Sequence, residues 1–132
     1  MSDEYQVFDG SGDRRYFTQI PNIVFDYPFS PYAFRVYAHI KKVAGEDGMC
    51  WQSTRTIADY CNISAPSVTR AIRELEKAGV IQVKRYPYRP GENARTEIWI
   101  TDIWQENMNY FSLGQDERSA QRDEWKKAVS MK

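Results

Sequence analysis

Between positions 53 and 79 the chain reads STRTIADYCNISAPSVTRAIRELEKAG, and what most restricts its fold is how little chain separates two helix signals there. Ser53 is an N-cap residue ahead of TRTIADYC, and Ser64 with Pro66 opens a further helix that closes at Gly79. Asn62, Ile63 and Ser64 alone connect them, so the two helices meet across a tight turn. In the second of these helices Val68, Ala71, Ile72 and Leu75 share one face. At 100° per residue Arg70, Arg73 and Lys77 fall within about 60° of one another on the side away from that face.

Upstream, SPYAFRVYAHIKKVAGEDG carries its own end signals: Ser30 as N-cap, Pro31 at the first helical position, Lys41 and Lys42 in the last turn, and Gly45. Ala33, Val36, Tyr37, Ile40 and Ala44 give it one apolar face. Before it, YFTQIPNIVFD reads as a short extended segment or strand, and after it MCWQ reads as a short strand. Downstream, the alternating segments 80–86 and 95–101 enclose a loop with two prolines and Gly91, which predicts a β-hairpin with a basic tip. Ile81, Val83, Ile98 and Ile100 share one side of it, and Lys84, Tyr86 and Trp99 fall on alternate positions. Beyond Asp102, Trp104, Met108 and Phe111 form a helical stripe suited to packing or a subunit contact. Gly114 then precedes a polar helix with a narrow apolar edge at Trp125, Ala128 and Val129. The expected organisation is a mobile acidic tail (1–15), one domain (16–101), and a C-terminal helical extension (102–132) that is a candidate dimerisation element.

A chain of 132 residues suits a single core. With 42% hydrophobic and 27% charged residues it is globular, and no apolar run is long enough to span a membrane. MSDEYQVFDGSGD lacks the pattern of a secretory signal, so a cytoplasmic location is expected. Cys50, Cys61 and the single His39 supply neither a disulfide framework nor a metal-ligand set, and no cofactor is expected. His39 reads as a surface or partly buried helix residue. No phosphate-binding glycine loop and no nucleophile–base pair is visible, so the chain reads as a non-enzyme. Although the net charge is zero, positions 53–95 hold eight basic residues against four acidic ones, and both flanks are net negative. A basic centre between acidic ends is what a local phosphate-binding face requires.

The order helix, short strand, helix, tight turn, helix, hairpin resembles a winged helix-turn-helix domain over roughly residues 30–101, and IADYCNISAPSVTRAI carries the resemblance. Ala58, Asn62, Ile63 and Val68 occupy the small, turn, apolar and β-branched positions of that family's pattern, with Asn62 where glycine is common. The implied fold class is α+β, mainly α: three helices and a β-hairpin wing, with the C-terminal helices added. The family likeness implies that the helix after Ser64 enters a major groove and that the wing follows the backbone or reaches a minor groove. Carried over by position, Ala65, Ser67, Thr69 and Arg70 stand nearest the bases, with Arg70 the candidate for a bidentate guanine contact. Arg73 and Lys77 lie further along, where phosphate is met, and Ser53, Thr54 and Arg55 open the preceding helix toward a phosphate oxygen. Lys84, Arg85, Tyr88, Arg89 and Arg95 are the wing's share.

FTQIPNIVFD and AIRELEKAGVIQVKR look like winged-helix modules of phage and plasmid replication initiators and of related bacterial transcription regulators. The implied partners are double-stranded DNA, a second copy of the chain, and a replication or transcription protein, with no membrane. A blander reading stands beside each assignment. The cations can be a solvated helix face, Ser53 and Ser64 are caps first, and Tyr86, Tyr88 and Trp99 can stack on one another. The alternative function is a protein-interaction module on the same scaffold, favoured by the neutral charge and by Glu74, Glu76 and Glu92 near the recognition face.

Overall fold

The computed structural model describes residues 4–10, 16–45 and 48–130. Residues 4–10 are exposed and form no helix or strand, and the rest of the expected tail, 1–3 and 11–15, lies outside the described residues. The stretch read as extended or strand is corrected: Ile23–Asp26 is a short helix, α1. Its start is made by the Pro21 and Asn22 carbonyls, which accept from the Val24 and Phe25 amides. The Ile23 amide donates to Asn107 Oδ1 at 2.9 Å, a partner 84 positions away that no local pattern announces.

The helix α2, Pro31–Ala44, forms where its end signals place it. The Ser30 hydroxyl accepts from the Ala33 amide, and Gly45 ends the helix at φ 54°. Strand β1 (Met49–Cys50) leads to α3 (Thr54–Cys61), capped by Ser53, and α4 (Ala65–Ala78), capped by Ser64. Between the last two, Asn62 adopts the left-handed conformation, φ 60° and ψ 44°, which asparagine tolerates better than most side chains. That single residue turns α4 across α3 and sends the Ile63 amide back to the Ala58 carbonyl.

Val36, Tyr37 and Ile40 of α2, Ile57 of α3 and Val68 and Leu75 of α4 are fully buried against one another, closed below by Val80, Ile81 and Ile98. Each such aliphatic side chain contributes roughly 1.5–3 kcal/mol. Strands β2 (Ile81–Tyr86) and β3 (Arg95–Ile100) form the expected hairpin, with β1 on the other edge of β3, all antiparallel. Ile81 lies opposite Ile100 and Val83 opposite Ile98, so the odd positions of β2 face the helices and Lys84 and Tyr86 face away. This is a winged-helix arrangement.

Two further helices, α5 (Trp104–Phe111) and α6 (Gln115–Ser130), fold back onto α1. Tyr110 is buried, donates its hydroxyl to Asp26 Oδ2 at 2.8 Å and accepts from Arg122 Nη1 at 3.1 Å. The Trp125 ring packs on Tyr27 and on Tyr110, with centroids 4.8 and 5.2 Å away. Ile103 and Tyr110 thereby join the same apolar cluster as α2, α3 and α4. The stripe Trp104, Met108 and Phe111 points outward instead, 59%, 51% and 40% exposed. His39 is also corrected: it is buried at 2% exposure, with Nε2 2.7 Å from Gln52 Oε1 and its ring stacked on Tyr60. The α3 side chains cover that flank of α2, which a one-helix pattern does not show.

Candidate nucleic-acid interface

The first turn of α4 is built around Ser64. Its hydroxyl accepts from the Ser67 amide at 3.2 Å and lies 2.8 Å from the Ser67 hydroxyl. Arg70 Nη2 donates to Ser67 Oγ at 3.2 Å, so the guanidinium lies back over the helix N-terminus with the rest of its donors unspent. Thr69 bonds its hydroxyl to the Ala65 carbonyl, leaving its methyl group as its outward contact, and Ala65 is exposed. Ala65, Ser67, Thr69 and Arg70 therefore occupy one end of one helix, as their spacing requires.

The helix α3 presents a similar end. Ser53 caps it through the Thr56 amide at 3.1 Å, Arg55 is exposed, and Thr54 is half-buried. Trp51, two residues before that cap and 70% exposed, was not among the sequence-derived candidates. The sequence showed only an indole two positions before a cap, within the short strand reading; its exposure comes from the fold.

The wing separates into two faces. Lys84 lies over the Trp99 ring at 4.5 Å and Arg95 over the Tyr86 ring at 4.2 Å, so these aromatics take cations instead of stacking on one another. At the centre of this face Glu97 is 8% exposed. It accepts from Trp99 Nε1 at 3.1 Å and from the Tyr86 hydroxyl at 3.4 Å, and pairs with Arg95 Nε at 3.4 Å. Arg95 is thus committed to the wing. Arg85 sits on the opposite face with Ile81 and Val83, and binds Glu76 of α4 through both terminal nitrogens, at 3.2 and 3.4 Å. Tyr88 and Arg89 are exposed at the tip, where Arg89 and Glu92 form a one-pair bridge.

Glu74 has a different task. Its Oε2 accepts from the Ser30 amide at 2.8 Å and its Oε1 from the Ser30 hydroxyl at 2.9 Å, pinning α4 to the start of α2. Lys77 stands near the other end of α4, about 18 Å along the axis from Ala65, beside a cavity of about 380 Å³ shared with Trp125 and Val129 of α6. The structure thus gathers Arg70 with the α4 N-terminus, leaves Arg55, Arg73, Lys84 and Arg89 without an ion-pair partner among the described residues, and sets Lys77, Arg85 and Arg95 apart.

Cys50 and Cys61 are buried free thiols whose pKa burial pushes up, and no group of metal-ligating side chains occurs among the described residues. No described helix is long and apolar enough to cross a membrane.

Residues 29–81 match the family model of the helix-turn-helix domain. Among solved structures, an N-terminal domain of a DNA binding protein superposes with a TM-score of 0.50 at 18% identity, covering 84% of this chain and 99% of that one. A possible transcriptional regulator from Methanosarcina mazei gives 0.49 at 16% identity, over 78% of this chain and 84% of that one. MepR, a transcription regulator of the Staphylococcus aureus multidrug efflux pump MepA, gives 0.43 at 15% identity, over 84% and 85%. At 18% identity the likeness to the first of these is one of fold. No curated protein sequence matches the chain.

Proposed function

We propose, from the premise that residues 29–81 are a helix-turn-helix domain completed into a winged helix by the β2–β3 hairpin, that this chain binds double-stranded DNA as a non-catalytic regulator of transcription or initiator of replication. The observation that carries the reading is the state of the acids. Glu74 is occupied by Ser30, Glu76 by Arg85, and Glu97 by Arg95, Tyr86 and Trp99. The acids that favoured a protein-binding role are, apart from Glu92, spent in holding α4 and the wing. Five cations, Arg55, Arg70, Arg73, Lys84 and Arg89, are left to face phosphate or base.

In this reading the N-terminal turn of α4 enters the major groove, with Arg70 reading a base and Ala65, Ser67 and Thr69 shaping the contact. Ser53, Thr54 and Arg55 meet a phosphate at the α3 N-terminus, while Lys84, Tyr88 and Arg89 follow the backbone from the wing. Arg85, Arg95 and Lys77 act by position. A single module reads a short site, so a second copy is expected, and the outward stripe of α5 is its contact. A cytoplasmic location belongs to this reading.

With four cations on phosphate and Arg70 on a base, log K for duplex DNA falls against log salt with a slope of about −3.6. Fluorescence anisotropy on a labelled duplex between low and physiological salt measures it. A slope near zero would refute the reading and leave the protein-interaction alternative.

A further inference from the structure

Trp51 is 70% exposed, and its indole Nε1–H has no hydrogen-bond partner among the described residues. The residues on either side fix the backbone that carries it. Cys50 is buried opposite Ile98 in the sheet, and Gln52 holds the buried His39, with Oε1 2.7 Å from Nε2. Ser53 then caps α3. The ring is thus presented from a pinned junction between β1 and α3.

The sheet says what stands beside it. Because β1 runs antiparallel to β3, the end of β1 meets the start of β3, at the end of the sheet from which the wing's tip projects. Met49 lies opposite Trp99, and strand alternation carries Trp51 to that same outer face, level with Glu97. Lys84 lies opposite Glu97 from the other side. Trp51 and Lys84 are therefore two strand spacings, about 10 Å, apart on one face, and Glu97 between them is saturated by Arg95, Trp99 and Tyr86. Along the chain from Trp51, Arg55 is exposed on the first turn of α3. Neither Arg55 nor Lys84 has an ion-pair partner among the described residues. An indole flanked by two such cations suits a sugar-phosphate backbone: the ring offers an apolar face to a deoxyribose, and the N–H is a donor for a phosphate oxygen. We infer that Trp51 is a backbone contact for duplex DNA, its ring against a sugar and its Nε1 donating to a phosphate between those met by Arg55 and Lys84. This rests on the duplex-binding reading above and adds to it a neutral contact from β1.

In nitrogen-correlation NMR of the full chain, the Trp51 indole resonance is identified by its loss in Trp51→Phe. It moves saturably when a mixed-sequence DNA duplex is added at low salt. In anisotropy titrations Trp51→Ala weakens every duplex at least about tenfold, the size of a lost hydrogen bond to a charged oxygen. Base preference and the salt slope stay as in wild type, because a neutral side chain releases no counterion. Trp51→Phe, which keeps a ring and lacks the donor, falls between the two. If wild type binds with a steep salt slope while Trp51→Ala matches its affinity, or while the indole resonance stays in place, this inference is overturned and the duplex reading stands. A wild-type slope near zero overturns both. A changed base preference in Trp51→Ala puts the ring on a base, and a smaller sedimenting mass puts it on a second copy; either result overturns the backbone contact.

Discussion

Arg70 and Arg85 are both exposed arginines of the basic centre, yet their surroundings assign them opposite work. Arg70 is held only by a neutral hydroxyl, Ser67 Oγ, over the α4 N-terminus, whereas Arg85 is bound through two nitrogens to Glu76. A guanidinium already facing a carboxylate releases no counterion from DNA. Arg70→Ala is therefore expected to cost about 1–3 kcal/mol on the cognate site and to relax preference at one base position. Arg85→Ala should leave the salt slope as it is, and removes a surface ion pair worth about 0.2–1 kcal/mol of stability. Titration of both variants over a salt series, with selection of bound sequences from random duplex, checks the pair of outcomes. An unchanged base preference in Arg70→Ala sinks its assigned role, and a slope reduced by about one in Arg85→Ala would put that side chain on phosphate. The distinction was half legible in the sequence. Arg85 shares its parity with Ile81 and Val83, so the alternation already turned it toward the helices, but only the fold brings Glu76 beneath it.

At the scale of the element, α5 shows that a helically spaced apolar stripe need not be the face turned to the core. Trp104, Met108 and Phe111 are helically spaced and apolar, but Asn107 and Tyr110 are the buried residues, because each satisfies a polar group of α1. A buried hydrogen bond to the Ile23 amide outweighs the apolar count, since leaving that amide unpaired costs about 1–3 kcal/mol. Asn107→Ala should thus lower stability by about that amount, read by thermal or urea unfolding. Met108→Glu acts on the other face: it should leave the unfolding transition near its wild-type position and shift sedimentation from dimer toward monomer. An identical sedimenting mass for the variant and the wild type removes α5 as the contact. What the sequence carried well were the elements whose signals are local: the caps Ser30, Ser53 and Ser64, the left-handed Asn62, the hairpin alternation. It carried poorly what rests on partners far along the chain, namely α1, the orientation of α5, and the carboxylates Glu74 and Glu97, which fix α4 and the wing from within.

For the whole molecule, two thiols and three phenols move in one direction. Burial raises the pKa of the Cys50 and Cys61 thiols and of the Tyr27, Tyr37 and Tyr110 phenols, with Tyr37 pushed up to about 12. Each raised group prefers its neutral form in the folded chain, so its contribution is complete below its unfolded pKa and is lost as pH climbs toward the folded value. The loss begins near 9.0, where the thiols titrate in the unfolded chain, and continues from 10.0 to about 12 for Tyr37. For Tyr37 alone this amounts to about 2–3 kcal/mol, a large share of what holds a domain of this size together. Melting temperature should accordingly fall from pH 9 upward. Tyr37→Phe removes one titration and a buried hydroxyl that has no protein partner, so near pH 7 it should melt no lower than wild type. Between pH 10 and 12 it should lose less stability than wild type does. Parallel alkaline melts of the two proteins decide this: curves that fall together above pH 10 would mean that the Tyr37 phenol is not what holds the folded core against high pH.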